Sequence, residues 1–136
     1  MSSRSSRPMR PDVFHASVAL ALGLLGAAAL LLVFRPTPTW AIYLGAWLFS
    51  INVVAFGYYG YDKGQARRTS RRVPEVVLHG LSVAGGSLGA YAGMQLFRHK
   101  TIKGSFRLLF WFIVAWQAAL LAFAAYELWK RSQGTE

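Results

Sequence analysis

The sequence has no cysteine, which excludes disulfide frameworks, thiolate metal sites and cysteine nucleophiles. Acidic residues are scarce, 5 Asp and Glu in 136 residues, and all charged residues together reach 15%, where a soluble domain carries about 25%. That shortfall excludes an ordinary soluble enzyme. The three histidines, His15, His79 and His99, stand far apart and outside any HExxH spacing, so no metal site and no cofactor are expected. What is present instead is apolar and basic. Hydrophobic residues make up 54% of the chain, and 15 Lys and Arg give a net charge of +10. Such a balance predicts a membrane protein facing acidic headgroups. Nucleic acid is the usual rival partner of so basic a chain. The basic run at residues 67–72 has no interleaved aromatic residues for base stacking, so no specific nucleic-acid binding is expected.

A crossing helix needs roughly 20 apolar residues, at about 1.5 Å each across a hydrocarbon core of about 30 Å. Residues 13–34, 40–61 and 105–129 meet that requirement, the second with Trp40 and Tyr43 at one end and Tyr58, Tyr59 and Tyr61 at the other, as an aromatic belt is arranged. Arg4, Arg7 and Arg10 precede the first stretch, which ends in Phe34-Arg35-Pro36 rather than at small residues. A retained helix is therefore expected, not a cleaved signal. Residues 1–12 read as a disordered basic leader, 13–129 as a single helical membrane domain and 130–136 as a short polar tail. The loop 62–72 holds five basic residues, which places it and the N-terminus on the cytoplasmic side of a multi-pass membrane protein.

Residues 74–97 are long enough to cross, at about 36 Å if wholly helical, but their middle is glycine-rich. If they cross, ten Lys and Arg lie inside and five outside; if they dip in and return, the division is twelve to three. Charge favours the return. Broken backbone at membrane depth must be covered by protein or water, and a chain this small has little with which to cover it. The expected fold is an all-α polytopic membrane protein with four transmembrane helices. The alternative is three helices plus a re-entrant glycine-rich hairpin.

Four features bear on function. Gly85, Gly89 and Gly93 repeat every four residues with Gly86 on a neighbouring row. This ridge suits close helix packing, while Gly85-Gly86 is also able to interrupt a helix and free backbone groups for a ligand. Arg98, His99, Lys100, Thr101 and Lys103 form a cluster able to hold a phosphate, Arg98 as a planar fork and the lysines as point charges. The plainer reading of that cluster is a snorkelling interfacial anchor. Glu75 and His79, four apart, share a helix face on which they can exchange a proton, although Glu75 after Pro74 is also an ordinary helix start. Asp62, Lys63 and Arg72 lie near them and can fix the loop by pairing. Asn52, Gln95 and Gln117 fall in or near apolar stretches, where an amide seeks an interhelical partner.

The ordered series Tyr61-Asp62-Lys63, Arg72-Val73-Pro74-Glu75, Leu78-His79, Gly85-Gly86-Ser87-Leu88-Gly89-Ala90, Gly93-Met94 and Phe97-Arg98-His99-Lys100-Thr101 resembles a widespread bacterial family. Its members are small integral membrane proteins of unknown function, the shortest corresponding to residues 49–125 here, and some larger ones carry an N-terminal cold-shock domain. The resemblance implies a place in the bacterial inner membrane, and that Asp62, Lys63, Arg72, Pro74, Glu75, His79, Gly85, Gly86, Gly89, Arg98, His99, Lys100 and Thr101 belong to the family motif, without assigning them roles. Here a Ser/Arg/Pro leader and an extra helix stand in place of the nucleic-acid module.

The functional expectation is therefore binding of an anionic lipid or lipid-linked phosphate through residues 98–103. The first alternative is a non-catalytic helix-packing regulator or partner subunit, forming a homo-oligomer or docking on another membrane protein. The second is a lipid-modifying enzyme with His99 or His79 as acid or base. A non-catalytic role is favoured over an enzymatic one.

Overall fold

Pro11 at the first helical position and Asp12 in the first turn start a helix in the preferred way, since proline has no N–H to lose there and a carboxylate complements the dipole. The computed structural model describes residues 10–35, 40–68, 72–98 and 104–133, and every regular element among these is a helix. Helix α1 spans Pro11–Phe34, α2 Trp40–Arg68, α3 Glu75–Leu81, α4 Ser87–Phe97 and α5 Gly104–Gln133. A π-helical turn, Ser82–Gly86, joins α3 to α4. Three stretches are long and apolar enough to cross a membrane: α1, Ile42–Arg68 of α2 and Gly104–Glu127 of α5.

Helices α1 and α2 form an antiparallel pair. Ser50 donates to the carbonyl of Gly23 (2.7 Å) and Tyr58 to that of His15 (3.0 Å). Gly23 gives the two helices room, since a Cβ there would lie 3.2 Å from Ile51. Helix α2 outruns its apolar stretch. Residues 62–68, expected to open the loop, are helical. Asp62 and Lys63 have tertiary partners, Gln65 donates to the Tyr61 hydroxyl one turn back (3.0 Å), and Arg67 and Arg68 in the last turn suit the negative end of the helix dipole. At the other end of the chain α5 runs on to Gln133, into the segment expected as a polar tail.

The glycine-rich segment reverses. Trp47 donates to Ala84 (3.0 Å) and Asn52 to Gly85 (2.9 Å), whereas Val73 and Phe97 both meet the far end of α2, at Asp62 and Lys63. The chain therefore descends along α2 as α3, turns near the level of Leu48 and climbs back as α4, parallel to α2. From Asp62 to Leu48 the hairpin reaches ~21 Å at 1.5 Å per residue. The turn is made at Gly85, whose φ of 108° is available to glycine at no steric cost. The expected fourth crossing is not found among the described helices, because both ends of its segment lie at one end of the molecule.

Packing is concentrated in that half. Tyr59, Phe106, Phe110, Ile51 and Leu78 are the largest wholly buried apolar side chains, placed where α2, the hairpin and the start of α5 meet. Beyond Gln117, α5 is exposed along residues 118–126.

Candidate functional site

Asp62 and Lys63 occupy the last turns of α2 at the mouth of the hairpin. Asp62 is wholly buried, and its Oδ1 accepts the backbone N–H of Val73 (2.8 Å), just ahead of α3. Half-buried Lys63 donates to the carbonyl of Phe97, the last residue of α4. Each charge thus meets the end of a helix whose dipole it complements, the carboxylate at an N-terminus and the ammonium at a C-terminus. Two adjacent side chains hold the entry and the exit of one hairpin.

At the tip, a second polar group compensates for the break. Losing α-helical pairing leaves carbonyls that are costly to bury unpaired. All four from Ser82 to Gly85 accept a side chain. Gln117 donates to Ser82 (2.6 Å) and Val83 (3.2 Å), Trp47 to Ala84 and Asn52 to Gly85. Asn52 Oδ1 also accepts the N–H of Gly89 (2.6 Å), so a single amide bonds both arms of the break. Gln117 Oε1 takes the hydroxyl of Ser87 (2.6 Å). The carbonyls of the break are therefore occupied by the protein itself.

Gly86, Gly89 and Gly93 press this arm against α2. A Cβ on Gly86 would come within 2.9 Å of Ala55 and one on Gly93 within 2.7 Å of Tyr59, and one on Gly89 would run into the Asn52 carbonyl. At Gly85 a Cβ would meet Leu48 at 2.6 Å, beside the strain its φ would impose.

Among the residues expected to form a phosphate cluster, Arg98 ends α4 in a left-handed conformation (φ 46°) with its side chain exposed. His99, Lys100, Thr101 and Lys103 lie outside the described residues. Arg72 is exposed beside buried Val73. Glu75 stands in the first turn of α3, and His79 lies over Phe106, with ring centroids 4.2 Å apart and planes 31° from parallel. The hairpin thus brings Arg72 and Arg98 to the same end of the molecule, along with Arg10, Arg67, Arg68 and Arg107. No group of three or more His, Asp or Glu able to hold a metal occurs among the described residues.

Trp47 escaped the sequence reading, which took the aromatic residues as belts. The available signal was an indole N–H within an apolar stretch, which must find an acceptor.

Residues 52–106 match the family described as protein of unknown function (DUF1294). The uncharacterized protein YsdA of Bacillus subtilis (strain 168) is 39% identical over 64 residues, covering 47% of this chain and 72% of YsdA. The chain belongs to this family. The matched stretch opens at Asn52 and closes at Phe106, so it contains the Asp62-Lys63 pair, the whole hairpin and the ring that packs on His79. Helix α1 and most of α5, including Gln117, lie outside it. No solved structure matches the chain.

Proposed function

We propose that this is a multi-pass protein of the bacterial inner membrane in which α1, α2 and α5 cross, the hairpin α3–α4 re-enters from the cytoplasmic side, and the basic cytoplasmic face binds the anionic headgroup of a lipid or lipid-linked phosphate. The apolar exterior supports the membrane placement: Leu25, Leu32, Phe112 and Leu88 are 67 to 79% exposed, a surface that water penalises and acyl chains accept. With the hairpin returning, twelve of the fifteen Lys and Arg fall on one face, in accord with the positive-inside rule.

The observation that carries the ligand reading is the Asp62-Lys63 pair. By fixing Val73 and Phe97 to consecutive residues of α2, it brings both ends of the hairpin, with exposed Arg72 and Arg98 beside them, to one end of the molecule. Cations drawn from two segments are able to surround one phosphate, with arginine forks supplying paired hydrogen bonds. The test is titration of inorganic pyrophosphate, followed by phosphorus NMR, into the full chain reconstituted in neutral phosphatidylcholine nanodiscs. Changing Arg98, His99, Lys100 and Lys103 together to glutamine is expected to weaken binding at least tenfold. An unchanged titration would overturn the proposal.

A second reading, a partner subunit without a ligand, draws on the bare apolar face of α5 at residues 118–126. Its signature is a stable oligomer of the purified chain that Leu121→Arg dissociates.

A further inference from the structure

On the side of α2 opposite the hairpin, an apolar groove of about 830 Å³ runs along the seam between α1 and α2. Its walls run from Phe14 to Phe34 on α1 and from Tyr61 to Phe49 on α2. The lining is almost wholly hydrocarbon. Ser50 contributes a hydroxyl, and this is already committed to Gly23. At the basic end, His15, Tyr58 and Tyr61 gather, their centroids 6.1 to 6.4 Å apart, and Tyr58 ties the two helices by its bond to the His15 carbonyl.

The mouth at that end is cationic on both sides. Arg10 is one turn before Phe14 and its carbonyl accepts the Phe14 N–H (3.0 Å), so it continues the lining row of α1. Arg68 is seven residues after Tyr61, two turns along the lining row of α2. Both are exposed. A long apolar trough with two arginines at one end is complementary to an amphiphile with a negative head.

Size argues against a helix as occupant. A crossing helix with a radius of about 5 Å and a length of about 30 Å displaces roughly 2,400 Å³, about three times the groove, so the groove is too small to enclose one. The volume falls within the ~300–1,000 Å³ typical of small-molecule sites.

We infer that this groove seats one acyl chain of an anionic phospholipid from the cytoplasmic leaflet, its phosphate held between Arg10 and Arg68. The seat rests on the membrane placement proposed above, but uses none of residues 98–103.

Gly57 makes the inference testable. It lines the groove, and a Cβ added to it meets nothing within 4 Å, so Gly57→Leu places its side chain in the trough and obstructs it midway. The full chain is loaded from vesicles containing equal phosphatidylglycerol and phosphatidylcholine, purified in neutral detergent and weighed by native mass spectrometry. The wild type is expected to retain one phosphatidylglycerol in preference to phosphatidylcholine. Gly57→Leu, with an unchanged helical spectrum, is expected to retain at least tenfold less. Arg10→Gln with Arg68→Gln should keep a bound lipid but lose the headgroup preference. Equal retention by wild type and Gly57→Leu overturns the seat, and equal retention of the two lipids by the wild type overturns its anionic character. The variant with glutamine at positions 98, 99, 100 and 103 should retain the groove lipid. If instead it loses that lipid while Gly57→Leu keeps it, the lipid belongs to the basic loop and the groove inference fails alone.

Discussion

Asp62 and Lys63 are neighbours in sequence, yet one receives the chain as it enters the hairpin, at Val73, and the other receives it as it leaves, at Phe97. Because the anchor points are adjacent, residues 70 and 105 should lie on one side of the membrane. Single cysteines introduced at Ser70, Ser105 and Ser132 of this cysteine-free chain, labelled with an impermeant reagent, should react from the cytoplasm at the first two positions and from outside at the third. Labelling of Ser105 and Ser70 from opposite sides would contradict the re-entrant placement.

The two anchors should differ in how they tolerate substitution. Asp62 is wholly buried and accepts a backbone N–H, so Asp62→Ala leaves that donor unpaired, at a cost of about 1–3 kcal/mol. Asp62→Asn keeps a carbonyl oxygen as acceptor and should lose less. Lys63→Met keeps the aliphatic stem but removes the bond to Phe97 and the charge facing the helix end, loosening the end of α4. Thermal unfolding in detergent ranks the three, and hydrogen exchange should place the Lys63→Met effect at residues 94–98.

Two glycines of the hairpin should respond in opposite directions to the same methyl group. Gly89→Ala drives a Cβ into the Asn52 backbone and should cost about 1–3 kcal/mol or more, as overpacking does. Gly80→Ala meets nothing within 4 Å on α3 and should be neutral or stabilising by up to about 1 kcal/mol through helix propensity. Unfolding of both variants under identical conditions checks the contrast, and similar losses would mean that the hairpin does not lie on α2 as described.

Much of the helical layout was legible because long uncharged stretches leave few alternatives. Residues 13–34, 40–61 and 105–129 all fall within α1, α2 and α5. The path of the hairpin was not. Its hydrophobicity suits crossing and returning equally, and the positive-inside count for returning stood against the need to cover a broken backbone. The structure meets that need with three side chains, Trp47, Asn52 and Gln117. A carbonyl needs only one donor, so the cover required is a few well-placed groups rather than bulk protein. Asn52 and Gln117 could be read as amides seeking partners, but which carbonyls they meet depends on the reversal at Gly85. Likewise Asp62 and Lys63 read as loop residues until Val73 and Phe97 are brought to them. The groove was invisible in sequence, since it arises from how two helices, each apolar on every side, pack against one another.

The reach of the hairpin also sets the outline of the molecule. Near the level of Tyr59 the described residues form five helical rods, while beyond the turn at Gly85 they continue only as α1, α2 and α5. The described helices therefore taper away from the basic end, and in the membrane placement proposed above the two leaflets would give up unequal areas.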